Sequence, residues 1–326
     1  MSTYLVTGVQ GQDGFILAEQ LIRQGHKVIG VGRRRLEEFS RRDAHLIEMS
    51  KLENGLFSYI ICDLRDAPRI FDIVSSFQPD FVINLAALSS PVESWTNSVG
   101  TFMNDSIAVM NLLEAIRLTS PQTHLIQACT SAIFKNSIEP ASEISEIDPL
   151  SPYAAAKYAA KNLVDIYRQK YQLSASNVIM FNHESEMRSD AFVTRKITKT
   201  VAEIKVGKAN KLELWTLRPI RDWGWAEEFM QGIYLMSMKP RIENLVLATG
   251  KGASIQEFAE VAFSVAGLSS DKYCQVKESP HITGSDISIG NPAKALVEIG
   301  WKPRIFWPEI AEKMFSYDYN LLRARE

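Results

Sequence analysis

The stretch TGVQGQDG, Thr7 to Gly14, is where this chain has the least conformational freedom. It closes an apolar run, YLVTG from Tyr4, and leads at once into GFILAEQLIRQG, whose apolar residues recur at helical spacing before Gly25. Glycine permits a tight turn and lets a backbone approach its neighbours closely. A strand, a glycine turn and a helix in that order set the helix N-terminus at the end of a strand. A pyrophosphate is stabilised at such a point by N–H groups and the helix dipole. Gly8, Gly11 and Gly14, with Gln12 and Asp13 between them, are therefore expected to bind a dinucleotide.

Beyond Gly25 the strand-and-helix pattern recurs. HKVIGVG, FSYIICDL, DFVINLAA, HLIQACTS and ASNVIMF read as strands two to six, with almost unbroken apolar character. APRIFDIVSSF, SIAVMNLLEAIRLT and YAAAKYAAKNLVDIYRQKY between them read as helices. Apolar strands alternating with helices imply a parallel sheet covered on both faces, an α/β doubly wound Rossmann architecture. Past Met180 the alternation weakens. FVTRKITKTVAEIKVGK and SIQEFAEVAFSVAG remain helical, KLELW is a short strand, and the stretch from Pro280 to Arg304 is irregular and then helical. The expected division is a dinucleotide-binding domain over residues 1–180 with about 220–248 returning to it. A smaller C-terminal substrate-binding domain takes 181–219 and 249–326.

At 326 residues, 46% apolar and 23% charged with a net charge of −2, the composition is that of a soluble globular protein and offers nucleic acid no basic surface. No apolar run reaches the roughly 18 residues that a membrane helix needs, and the N-terminus has no secretory pattern, so a cytoplasmic protein is expected. Cys62, Cys129 and Cys274 lie far apart without CxxC pairing and the five histidines are scattered; neither disulfide nor metal site is expected.

Strand two ends in GVGRRR. An NAD site usually carries an acid there for the ribose 2′-hydroxyl. Arg33 and Arg34 instead suit a 2′-phosphate, which favours NADP. Asp63, after strand three, stands where it could accept from the adenine amino group or cap the following helix. Tyr153 and Lys157 in SPYAAAK lie one helical turn apart and share a face. An ammonium there is expected to lower the phenol's pKa, so that tyrosinate takes a hydroxyl proton as hydride leaves for nicotinamide.

With these residues in hand, the chain resembles the extended short-chain dehydrogenase/reductases and, within them, the GDP-mannose 4,6-dehydratases. The motifs are TGVQGQDG, NLAALSSPVES, QACTSAIF, SPYAAAK, FNHES, FVTRKI, RDWG and GWKPR. The resemblance implies NADP, oxidation of a nucleotide-linked hexose at C4, loss of water across C5 and C6, and a homodimer or homotetramer. It adds Leu64, Leu85, Ala86 and Ala87 to the cofactor residues and gives Thr130 the role of bonding the sugar 4-hydroxyl. It assigns Ser89, Asn182, Glu184, Val193, Lys196, Arg221 and His281 to the substrate. Cations such as Lys196 and Arg221 suit a diphosphate in any case.

The departures are as informative. The family's Thr-Ser-Glu at the end of strand five is Thr130-Ser131-Ala132 here, and a methyl group cannot move the C5 proton that the glutamate carries. Phe134 and Lys135, Trp215 and Thr216, Trp225, Met187 and His281 also differ from the pattern and are expected around the sugar and nucleotide pockets. Two readings stand: dehydration with another base, Lys135 or Cys129 being nearest in sequence, or redox alone, as a C4 dehydrogenase, 4-keto reductase or epimerase. A non-catalytic nucleotide-binding scaffold is a third.

Overall fold

The computed structural model describes residues 1–37, 40–51, 55–239, 242–277 and 287–324. Six strands follow the sequence expectation: β1 (Thr3–Thr7), β2 (Lys27–Gly32), β3 (Phe57–Ile61), β4 (Phe81–Asn84), β5 (His124–Thr130) and β6 (Ala175–Met180). After β7 (Asn182–Glu184), β8 (Leu212–Leu214) and β9 (Ile220–Trp225) comes β10 (Asn244–Leu247), which joins the same sheet beside β6. The order is β10-β6-β5-β4-β1-β2-β3, parallel throughout. The chain winds outward from β1 in one direction and from β4 in the other. The loops after β1 and β4 therefore part at the carboxyl edge and leave a crevice.

Alternation of side chains explains why these strands read as unbroken apolar runs. Tyr4, Val6, Val28, Ile83, Ile126 and Val178 face one layer, built from helices Gln12–Arg23 and Ala226–Ser237. Leu5, Val31, Val82, Leu125 and Ala175 face the other, built from Ala67–Phe77, Ala108–Thr119 and Pro152–Tyr171. Both faces are buried, so apolar residues are needed on each.

The segment expected to return from about residue 220 divides. Ile220–Trp225 stays with the smaller unit as β9, which pairs with β7, β11 (Gly252–Ser254) and β13 (Ile287–Ser288). The helix Ala226–Ser237 and β10 go back to the large sheet. A parallel pair, β8 with β12 (Cys274–Val276), lies apart from both sheets. Helices Val193–Lys205, Ile255–Val265 and Trp307–Arg323 pack a separate core around Trp223 and Trp225. Among the described residues no helix is long and apolar enough to cross a membrane, and no group of His, Cys, Asp or Glu could hold a metal ion.

One buried carboxylate ties the small unit together. Asp222 on β9 accepts from Thr249 N (2.9 Å), Thr249 Oγ1 (2.6 Å), Gly250 N (2.9 Å) and Gly290 N (3.2 Å), joining the loops beyond β10 and β13. Burial pushes its pKa up and these donors oppose the rise. Asp222→Ala strands buried N–H groups without acceptors, and we expect a loss of about 3 kcal/mol or more, read as a lower urea midpoint at unchanged slope.

Candidate active site

The crevice is kept open by backbone contact. Gly8 adopts φ +69°, and a Cβ there would lie 2.8 Å from Ala86 N. A Cβ on Gly14 would stand 2.4 Å from Gly8 O. The two loops thus touch through main chain at Gly8 and Ala86. Below them Thr7 Oγ1 donates to Asn84 Oδ1 and Asn84 Nδ2 to Gln127 Oε1 (2.7 Å), a buried polar row linking β1, β4 and β5. Helix Gln12–Arg23 starts at Gly11 with no side chain capping it, which suits its first-turn N–H groups to an anion. A nicotinamide dinucleotide fits this cradle. The cleft it opens has a volume of about 890 Å³ and runs on to the smaller sheet.

Most of the expected cofactor residues meet here. Gly8, Gly11, Gln12, Asp13, Gly14, Arg33, Arg34, Leu64, Leu85, Ala86 and Ala87 line the cleft, and Arg42 joins them. Arg33 Nη1 reaches Asn104 Oδ1 at 3.4 Å, and Arg42 Nη1 reaches Met187 O at 3.4 Å. Arg34 pairs with Asp43, which is fully buried and also accepts from Glu37 N. Guanidinium groups therefore front the end of β2, and the nearby acid is turned away behind one of them. Asp63 does not cap the following helix. It pairs with the Arg65 guanidinium (2.6 Å), which holds its carboxyl below the usual range, and it does not line the cleft. Asp66 caps the helix instead, accepting from Arg69 N.

Tyr153 and Lys157, buried to 7% and 3% exposure, lie in the first turns of Pro152–Tyr171 and line the cleft with Thr130. Thr130 Oγ1 accepts from Ala132 N (3.2 Å), which leaves its own proton available to the neighbouring Tyr153 oxygen, whose pKa it lowers. The phenol's pKa is raised, against the expectation from a neighbouring ammonium. Burial is the largest cause and the Asp105 carboxylate adds to it, while Thr130 and Arg188 pull the other way. Asp105 is itself buried, its carboxyl pushed up by burial and drawn back chiefly by Lys157. A five-residue π turn, Met103–Ile107, carries Asn104 and Asp105 and overlaps the start of the helix expected from Ser106. Its i→i+5 hydrogen bonding leaves no mark in apolar periodicity.

On the substrate side, Ser89, Asn182 and Arg221 line the cleft, together with Arg188, Phe192 and Ser288. Glu184 does not. It is buried behind the wall, accepting from Thr194 Oγ1 (2.7 Å) and facing Arg188 Nε at 3.2 Å. Val193 packs on the smaller core and Lys196 is exposed on its helix, both off the cleft. His281 lies outside the described residues. Of the positions that depart from the family pattern, Ala132, Phe134, Lys135 and Met187 line the cleft. Trp225 is buried in the smaller core and Trp215 is exposed elsewhere, so neither lines the pocket expected of them.

Neither substitute base suggested by sequence position has the chemistry. Burial pushes the Cys129 thiol up, keeping it neutral. Lys135 Nζ is held by both oxygens of Glu146 at 2.9 Å, which raises its pKa and keeps it a cation.

A pairing between the two units went unseen in the sequence. His183 Nε2 meets Asp13 Oδ2 at 3.0 Å while its Nδ1 contacts Phe181 O, and Ser185 Oγ donates to Gln12 Oε1 (2.8 Å). β7 and the residue after it are thereby tied to the glycine turn. Burial would raise the Asp13 pKa, but the imidazole overrides it and holds the carboxyl at about 2. Burial likewise works against the His183 cation, and Asp13 overrides it, raising the pKa.

The whole-chain comparisons agree with one another. The family model described as GDP-mannose 4,6 dehydratase matches residues 5–314. A protein named GDP-mannose 4,6 dehydratase 2 from Caenorhabditis elegans is 35% identical, over 98% of this chain and 90% of its own length. The GDP-mannose 4,6-dehydratase of Sinorhizobium fredii is also 35% identical, over 98% and 97%. Among solved structures, the UDP-glucose 4-epimerase of Thermotoga maritima, bound to UDP-glucose, superposes with a TM-score of 0.84 at 20% identity, covering 98% of this chain and 99% of that one, a likeness of fold.

The Asp13–His183 pair gives a pH signature. The carboxyl's folded pKa lies below its usual 3.8, so its stabilisation is present above that value and is lost as pH falls towards 2. The imidazole's folded pKa lies above 6.5, so its share is present below 6.5 and is lost as pH rises through the raised value. The stability difference between wild type and Asp13→Asn should be widest between about pH 4 and 6.5 and narrow on both sides, measured by thermal melts across pH. A difference that does not vary with pH would show the pair to be uncharged.

Proposed function

This chain belongs to the GDP-mannose 4,6-dehydratase family of nucleotide-sugar enzymes, and from that premise we propose that it oxidises a nucleotide-linked hexose at C4, using NADP and Tyr153 as base. The observation that carries this reading is that Thr130, Tyr153 and, one turn further on, Lys157 line the same cleft that the glycine turn opens. When bound, the nicotinamide supplies a hydride acceptor at that floor.

The chain's own residues do the rest. Thr130 keeps its proton directed at the phenol oxygen, so a sugar hydroxyl entering between them finds a donor and an acceptor set at the reacting carbon. Tyr153 takes the hydroxyl proton. Burial and the Asp105 charge hold its pKa high, and a cation brought beside it would offset both. Lys157, buried and opposed by Asp105, stabilises the tyrosinate as it forms. Arg221 and Arg188, on the far wall, suit the diphosphate of the substrate. Arg33 just after β2 and Arg42 on the helix that follows, Arg41–Lys51, both line the cleft and support a cofactor carrying a 2′-phosphate.

Tyr153→Phe should lower turnover by about 10²- to 10⁴-fold with NADPH affinity retained; unchanged turnover would leave a non-catalytic binding protein as the better reading. The substrate is tested with GDP-mannose, its product followed by mass spectrometry. Arg33→Ala combined with Arg42→Ala should weaken NADPH binding by tenfold or more and leave NADH binding within about twofold, since a charged hydrogen bond contributes about 1.5–3 kcal/mol; cofactor fluorescence reads both.

A further inference from the structure

Ala132 removes a carboxylate from the end of β5, yet the cleft still contains acids. Among the described residues three line it: Asp13, Glu139 and Asp148. Asp13 is committed to His183 and Gln12, which hold it ionised at the glycine turn. Glu139 is exposed on a loop fastened locally, its own N–H bonded to Ser137 Oγ.

Asp148 differs from both. Its main-chain N–H donates to Ile133 O at 2.9 Å, and Phe134 bridges antiparallel to Ile147. The residue is thereby pinned beside the short helical turn Ser131–Ile133 that carries Ala132. It is half-buried, and among the described residues its carboxylate makes no ion pair or hydrogen bond. Lys135, the cation close enough to feel its charge, is clamped by Glu146 instead. Three residues on, Ser151 caps the helix that presents Tyr153. Asp148 thus lies on a short connection between the Ala132 turn and the phenol, lining the same cleft with its carboxylate uncommitted among the described residues.

We propose that Asp148 is the acid–base residue that serves the C5–C6 end of the sugar in place of the side chain absent at Ala132. This deepens the C4-oxidation reading and rests on it, because a C5 proton is acidic only beside a C4 ketone. The carboxylate takes the C5 proton, and the electrons of the broken C–H bond form a C4–C5 double bond while the ketone oxygen becomes an oxyanion. When C4=O re-forms, those electrons make the C5–C6 double bond and expel the C6 hydroxyl. That hydroxyl leaves as water with the proton that Asp148 had taken. Atoms and electrons balance with no further reactant.

The test uses the full-length enzyme with bound NADP and GDP-mannose in deuterium oxide, following two signals: absorbance at 340 nm for C4 oxidation, and deuterium entry at C5 together with loss of 18 mass units. Asp148→Asn should keep the absorbance burst within about threefold and lower C5 exchange by about 10²-fold or more. GDP-mannose affinity should stay within about threefold. Adding Ala132→Glu to that variant should restore exchange, which a merely structural role for Asp148 does not explain. If Asp148→Asn gives too little folded protein, Asp148→Glu and Ala132→Glu in the wild-type background are compared: exchange retained in the first, with its acidic pH limb shifted, supports the role. Exchange at the wild-type rate in Asp148→Asn overturns it. A wild-type enzyme that gives the burst and no exchange also overturns it while leaving C4 oxidation standing; absence of the burst in wild type removes the C4 reading itself.

Discussion

Main chain pressed on main chain at Gly8 and Ala86 is the contact on which the rest of this molecule depends. With a Cβ standing 2.8 Å from an amide nitrogen, any other residue at position 8 would drive the β1 and β4 loops apart, and its φ of +69° is one that side chains rarely adopt. Gly14 repeats the demand a turn later, against Gly8 O. Held this closely, the two loops leave a groove lined by backbone and headed by a helix N-terminus. Only such a groove lets a pyrophosphate come near enough to be neutralised by N–H groups.

The smaller unit is fastened to that groove rather than merely beside it. Gln12 and Asp13, in the first turn of the helix, reach His183 in β7 and Ser185 just beyond it. A carboxylate next to a pyrophosphate site would ordinarily oppose an anion. Here the His183 imidazole, its pKa raised by Asp13, sits against that charge, so Asp13 acts as an anchor between units. Further out, Asp222 gathers donors from the loops that border β9, and its neighbour Arg221 is carried to the cleft wall on that fixed strand.

Burial and charge compete at the reacting end. The phenol of Tyr153 is buried enough that its proton is held firmly, and Asp105 adds to the hold. The same low-dielectric surroundings make any cation delivered there unusually effective.

Much of the large sheet was legible because its determinants are local. Apolar runs at the right length and glycines at the right spacing named β1 to β6, and the motif SPYAAAK put two ionisable groups on one helical face whatever lay around them. Contacts between distant segments were not legible. The seventh strand is only four residues long, Asn244–Leu247, and becomes a strand because β6 offers it an edge. Trp225 and Glu184 sit in motifs that suggest a binding pocket, yet packing buries both behind its wall. The cap that Asp63 could have supplied comes from Asp66 through the geometry of one turn, and Lys135 was removed as a base by Glu146, eleven residues away. The sequence by itself determined the doubly wound sheet, the glycine cradle, the arginines at the end of β2 and the Tyr153–Lys157 pair, since each follows from period, spacing or charge within a few residues. The tertiary structure alone decided which ionisable groups are free to act: that His183 satisfies Asp13, that burial raises the Tyr153 pKa, and that Asp148 lines the cleft with no ion pair among the described residues. Protonation and pairing are set by what surrounds a group in three dimensions, and a linear chain does not carry its own dielectric.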